Sequence, residues 1–231
     1  MLTEQPLIID QDILSQLINI SGRQRMLSQR IVLLIQLYVQ NGDQTTLKSL
    51  YDAIKLFDTS HKQLTEGDLE VPLPGVFSER LENIFYGEEI KAHSIIDSFI
   101  NDVKKIFNDL KNDKSVSDDQ MKNLLFFSTS ELLTLLNDIT TAYELEAKEA
   151  AEKMQAQIEA KQHELATILH SISLVSKKAN QISVYTHVVA TRLEQAQAQE
   201  SKDIEAVATQ IEHLAEDMSK LIKELVTRVR E

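Results

Sequence analysis

The segment "QDILSQLINISGRQRMLSQRIVLLIQLYVQ", residues 11–40, decides how this chain folds. Laid on a helix, it carries one stripe at strict 4/3 spacing: Ile13, Leu17, Ile20, Gln24, Leu27, Ile31, Leu34 and Tyr38. A second stripe runs beside it with the same spacing: Leu14, Ile18, Ser21, Arg25, Ser28, Val32 and Ile35. A helix with two adjacent apolar stripes needs two partners. The pattern predicts one face in the helix's own bundle and the other against a second subunit. Both stripes turn polar at the same level, Gln24 in the first and Ser21, Arg25 and Ser28 in the second. Gly22, one step away, permits a close backbone approach.

Arg25 is the residue that asks for an explanation. An arginine in an apolar seam is costly without a counter-charge. The nearest acid in the helix is Asp12, almost two heptads away. At a two-fold seam Arg25 would meet its own copy, because an isologous interface sets like against like. A small anion between two guanidiniums relieves their repulsion and satisfies their planar donors. The other reading pairs Arg25 with an acidic residue on another helix of its own bundle. Pattern alone leaves both open. Arg23 and Arg30 fall off both stripes.

Outward from this helix, "NGD" at 41–43 ends it and supplies Asp43 as the cap of a second helix reaching about Gly67. "GDLEVPLPG", 67–75, reads as a loop, and 78–86 as a short helix. A longer helix from about residue 88 sets Ile96, Phe99, Val103, Ile106 and Leu110 at 3/4 spacing. "NDKSVSDDQ" breaks it, and Ser117-x-x-Gln120 is a capping-box pattern opening the next helix. Leu125, Leu132, Leu135, Ile139 and Ala142 make its expected inner stripe, and nothing stops it after residue 143. Every glycine and proline precedes residue 88, so the rest of the chain favours long helices.

The tail carries two apolar runs. Leu165, Ile168, Ile172, Val175, Ala179, Ile182, Val189 and Leu193 form the first, and Ile204, Val207, Ile211, Leu214, Met218, Leu221 and Leu225 the second. They are out of phase and separated by "EQAQAQESKD", 194–203. One reading is an antiparallel hairpin with arms of about 45 Å. The other is a continuous helix with a heptad slip. Matched arm lengths favour the hairpin. The strong helix formers in the break favour the continuous helix.

Composition excludes several functions. The chain has 231 residues and a net charge of −12, which argues against a general nucleic-acid binder and against docking on an anionic membrane. It has no cysteine, so disulfides and thiolate metal sites are excluded. No apolar run is long enough to span a membrane, and "MLTEQPLIIDQD" lacks the basic and apolar regions of a signal peptide. The expectation is a cytoplasmic protein without membrane insertion. There is no phosphate loop and no nucleophile motif, so no catalytic residue is expected. His163 and His170 are seven apart, and Glu89 and His93 four apart. Neither pair makes a ligand set, and the Glu-x-x-His pairs of a di-iron bundle are missing. No metal or other cofactor is expected. "KEAAEKMQAQIEAKQHE", 148–164, reads as a solvated charged helix face.

"INISGRQRMLSQRIVLLI", 18–35, closely resembles the signature of the PilJ-type sensor domain, found at the N-terminus of type IV pilus chemotaxis-like transducers. It is also similar to the signature segment of nitrate and nitrite sensor kinases: a Gly, two residues, Arg-Met, a polar run, then Arg. "LLTLLNDITTAYELEA", 132–147, looks like the last helix of the same domain. The resemblance implies a four-helix bundle that dimerises through its first helix. It implies that the arginine before the methionine, by position Arg25, grips a nitrate-type anion from each subunit. Arg30 matches the family's second arginine. Family members usually sit outside the membrane between two spanning helices; without such helices, an intracellular sensor or a detached relative is implied.

The tail resembles a degraded chemoreceptor signalling hairpin. "ISLVSKKANQISVYTHVVATR", 172–192, carries the likeness, with "IEAVATQIEHLAEDM", 204–218, as the returning helix. Asn180 and Arg192 align with polar positions of that motif, which implies a chemotaxis kinase, a coupling protein or chemoreceptors as partners. The tip glycines are absent and about four residues are extra, so a plain dimerising coiled coil stays open as the other reading. The sequence therefore predicts an all-α protein, with a four-helix-bundle sensor over 11–150 and a coiled-coil segment over 151–231. The expected function is sensory: a homodimer holding nitrate or nitrite with Arg25, Ser21, Gly22, Ser28 and Gln24. The competing expectation is a ligand-free adaptor that dimerises and docks a chemotaxis or pilus-signalling partner.

Overall fold

The computed structural model describes residues 9–195 and 201–230. The stretch before residue 9, read above for a leader, lies outside them. So do residues 196–200 of the 194–203 break and the side chains of Leu193, Ile204, Val207 and Leu225. Among the described residues the chain is all-α apart from one pair of two-residue strands.

Helix α1 (Gln11–Asn41) begins on Asp10, whose carboxylate accepts from the Asp12 amide. It ends at Gly42, held at φ 62°, a left-handed conformation that glycine adopts without a Cβ penalty. Asp43 caps α2 (Gln44–Thr65) by accepting from the amides of Thr45 and Thr46. The 67–75 loop folds into a small antiparallel pair, β1 (Gly67–Asp68) with β2 (Leu73–Pro74). Helix α3 (Glu79–Tyr86) starts from the Ser78 hydroxyl, which accepts from the Leu81 amide. Helix α4 (Ala92–Lys111) begins later than the sequence suggests, because residues 87–90 form a turn. Its expected stripe, Ile96, Phe99, Val103, Ile106 and Leu110, is buried throughout.

Helix α5 (Asp118–Thr129) opens with the full capping box of Ser117 and Gln120. It then breaks at Ser130, with φ −111° and ψ −83°, and the chain continues as α6 (Glu131–Gln195). This break corrects the inner stripe read as one helix. Leu132, Leu135, Ile139 and Ala142 are buried, whereas Leu125 is exposed and α5 buries Leu124 and Ser128 in its place. On the α5 side of the break the inward positions are therefore 124 and 128, one residue before Leu125 and three after it.

Two compact units result, 1–153 and 154–231. In the first, α1 lies against α2, α4 and α5, and α2 also against α4. The core is one cluster running through these helices, with Phe57 and Phe99 edge-to-face at 5.3 Å. The early turns of α6 close the bundle: the Tyr143 hydroxyl donates to the Leu64 carbonyl at 3.2 Å. Burial raises the Tyr143 pKa above the ordinary phenol value, so the proton it donates is held. Arg80 of α3 bonds Glu146 of α6 at 2.8 Å.

In the second unit, Lys178 of α6 bonds Asp217 of α7 (Ser201–Arg230) at 2.7 Å. Lys178 lies 17 residues before Gln195, and Asp217 lies 16 after Ser201. Both residues therefore stand about 25 Å from the helix ends that face each other in sequence, and they meet only if the arms fold back antiparallel. The hairpin is the arrangement observed. Its inner faces are half-buried Ile168, Val175, Ala179, Ile182 and Val189 on α6, and Ile211, Leu214, Met218 and Leu221 on α7. Leu165 and Ile172, read into the same stripe, are exposed.

Candidate functional site

The two stripes of α1 do not divide between bundle and partner as their pattern suggests. Leu14, Ser21, Ser28, Val32 and Ile35 of the second stripe are as buried as Leu17, Ile20, Gln24, Leu27, Ile31 and Tyr38 of the first. The reason is tertiary. Helices α2, α4 and α5 all pack on α1, so the bundle itself supplies the partners that a double stripe requires.

The polar residues of the segment separate accordingly. Ser21 donates to the Ile18 carbonyl at 2.8 Å and Ser28 to the Arg25 carbonyl at 2.7 Å. Both hydroxyls are turned inward and spent on their own helix. Gln24 is fully buried, with neither amide atom hydrogen-bonded. Gln29 reaches across to the Ser128 carbonyl at 2.7 Å and ties α1 to α5. Of the five candidate ligand residues, the structure thus leaves Arg25 exposed and Gly22 half-buried, and encloses Ser21, Gln24 and Ser28.

Arg25 donates from Nη1 to Asn137 Oδ1 on α6 at 2.8 Å. The partner is a neutral amide, not the acidic residue weighed from the sequence. Among the described residues, Arg23, Arg25 and Arg30 make no ion pair. Asn137 engages one of the five guanidinium N–H groups and leaves the charge uncompensated. Around Arg25 the outer face of α1 stays open. Nothing lies within 4 Å of where a Gly22 Cβ would stand. Met26, Leu33 and Leu37 are 51%, 54% and 39% exposed, at 7- and 4-residue spacing along one face. Arg30 shares that face, midway between Met26 and Leu33, and is also exposed. The sequence reading, fixed on the two apolar stripes, passed over this third face because its apolar residues are mixed with arginines.

Residues 10–85 match the PilJ family model, described as the type IV pili methyl-accepting chemotaxis transducer N-term. The match covers α1, α2, the strand pair and α3, about a third of the chain. Searches of curated proteins and of solved structures return no match. The PilJ match takes in Gly22, Arg25, Met26 and Arg30, and it supports a role in chemotaxis- or pilus-type signal transduction. The 132–147 segment, likened above to the last helix of the PilJ domain, lies beyond the matched residues and supplies Asn137 to Arg25. Among the described residues no helix is long and apolar enough to cross a membrane. Asn180 and Arg192, the candidate partner residues of the tail, are exposed on α6.

The sequence reading missed a second cluster. His61 of α2 and His93 of α4 stack at 5.0 Å, with His61 Nε2 and His93 Nδ1 2.9 Å apart. Asp97, one turn beyond His93, brings Oδ1 within 3.6 Å of His61 Nε2 and Oδ2 within 3.4 Å of His93 Nε2. Burial, then the neighbouring His93, holds the His61 pKa down at about 4, so its ring is neutral at neutral pH. His93 was paired with Glu89 by spacing. The i, i+4 neighbour on its other side, Asp97, was the available signal, but the 32-residue separation from His61 hid the rest.

Proposed function

We propose that residues 10–153 form a PilJ-like sensor unit in which Arg25 binds a small planar oxyanion of the nitrate or nitrite class between two copies of the chain. The observation that carries the reading is Arg25 itself, exposed, bonded to a neutral amide and unmatched by any acid among the described residues. A guanidinium with free planar donors suits a trigonal oxyanion. The face around it supports the dimer: Gly22 gives room for close approach, and Met26, Leu33 and Leu37 supply apolar area that a second copy would cover.

The signal follows from the second partner of Arg25. An anion on the free donors shares the guanidinium with Asn137 Oδ1, so binding bears on how α1 holds α6. Coupling requires only that the two arrangements differ in anion affinity. The role is one of binding and relay, not of catalysis, in a cytoplasmic setting. Nitrate should raise the midpoint of thermal unfolding, since a ligand selective for the native state stabilises it. Arg25→Ala should abolish that shift while leaving the ligand-free midpoint within about 1 °C, because the side chain is exposed. A wild-type midpoint indifferent to millimolar nitrate, nitrite and chloride would sink the anion reading.

A second reading has its own observation. Leu165, Leu169 and Ile172 are exposed along one face of α6 in the hairpin unit, an apolar surface suited to a partner helix. It supports an adaptor that docks a chemotaxis kinase, a coupling protein or a chemoreceptor. Co-purification with such a partner, unaltered by Arg25→Ala, would favour the adaptor.

A further inference from the structure

We propose that His61, His93 and Asp97 form a binding site for a divalent first-row transition-metal ion, Zn²⁺ in the first instance, joining α2 to α4. One nitrogen from each histidine and one carboxylate oxygen lie within 4.8 Å of one another. The separations from His61 Nε2, 2.9 Å to His93 Nδ1 and 3.6 Å to Asp97 Oδ1, bracket the spacing a metal needs. An ion with bonds of about 2.0–2.1 Å in tetrahedral geometry sets its ligand atoms roughly 3.3–3.4 Å apart. The two edges that meet at His61 Nε2 therefore lie within about half an ångström of tetrahedral spacing, and rotation of the half-exposed Asp97 carboxylate can close the third.

The donor set fixes the chemical class. Two imidazoles and one carboxylate suit Zn²⁺ and its neighbours, whereas Mg²⁺ and Ca²⁺ prefer oxygen throughout. The site is braced on one side and open on the other. The His61 side chain is 2% exposed, and those of His93 and Asp97 are 33% and 49% exposed, which gives an entry path. His61 Nδ1 is buried without a hydrogen-bond partner. Asp58, one turn before His61, does not compete for the ion, since it holds Lys104 at 2.8 Å. The fourth position then falls to water. On binding, the proton shared between His61 Nε2 and His93 Nδ1 moves to the other nitrogen of the ring that carries it, so both imidazoles bind as neutral ligands. The inference stands apart from the anion reading, because no residue is common to the two sites.

The test uses the full chain, stripped with EDTA and dialysed, and titrated calorimetrically with Zn²⁺, with Mg²⁺ as the control. One equivalent of Zn²⁺ should bind with a micromolar or lower Kd, and Mg²⁺ should give no heat. His93→Ala and Asp97→Asn, both at partly exposed positions, should each weaken Zn²⁺ at least tenfold. In the unmutated chain, Zn²⁺ should move the NMR ring signals of two of the six histidines, whatever the variants do. No one-equivalent isotherm, wild-type affinity in either variant, or shifts confined to the histidines of the hairpin would overturn the proposal.

Discussion

Gln24 occupies the centre of α1 with 0% exposure and neither amide atom bonded. A buried polar group without a partner carries its full desolvation cost, about 1–3 kcal/mol. Gln24→Met keeps the volume and removes the cost, so it should stabilise the bundle by about that amount in urea unfolding. A loss of stability would mean that the amide is hydrogen-bonded in solution. Arg25 obeys a different rule at the next position. One residue further around the helix it clears the bundle edge, and its charge costs little because water reaches it. Spacing identified both as exceptions in apolar stripes. Which exception is enclosed and which is free depends on where α5 and α6 end against α1.

Two features matter at the scale of the element. The outer face of α1 bears Met26, Leu33 and Leu37 amid arginines, an apolar strip that the monomer leaves uncovered. If a second copy covers it, Leu33→Glu should turn a dimer into a monomer by light scattering without loss of helical circular dichroism. Unchanged mass would place any dimer contact elsewhere. The turn between α2 and α3 depends on Gly67, at φ 85°, where an added Cβ would stand 2.5 Å from the Leu73 carbonyl oxygen. Gly67→Ala should destabilise the first unit by about 1–3 kcal/mol, measured by thermal unfolding, because backbone atoms of Leu73, Pro74 and Gly75 block the methyl group. The helix ends were readable from sequence wherever a local cap sets them, as at Asp43, Gly42 and Ser117. The break at Ser130 was not, since no glycine or proline marks it; the Ser-Thr-Ser run at 128–130 ahead of Glu131 is the one local signal for it.

For the whole molecule, the sharpest outcome concerns the hairpin unit. Because the chain has no cysteine, spin labels can be placed at single introduced cysteines at positions 178 and 217. The hairpin predicts a short label separation, below about 25 Å. A continuous helix over the same 39 residues would give about 58 Å. The Lys178–Asp217 pair itself is exposed on the aspartate side and adds little stability, so its loss should not open the hairpin.

The sequence by itself determined the all-α class, the caps, the glycine-free second half and the position of Arg25 among arginines near a signature Gly and Met. These are local properties, set by backbone propensity, side-chain capping and 3.6-residue periodicity, and each is complete within a few turns. Tertiary structure decided the rest. It turned both α1 stripes inward, because α2, α4 and α5 all pack on α1. It gave Arg25 an amide where an acid had been the alternative. It brought His61 to His93 and Asp97 across 32 residues of chain. None of these has a signal within one helix, since each depends on which faces of separate helices meet, and that is settled by the packing of the core as a whole.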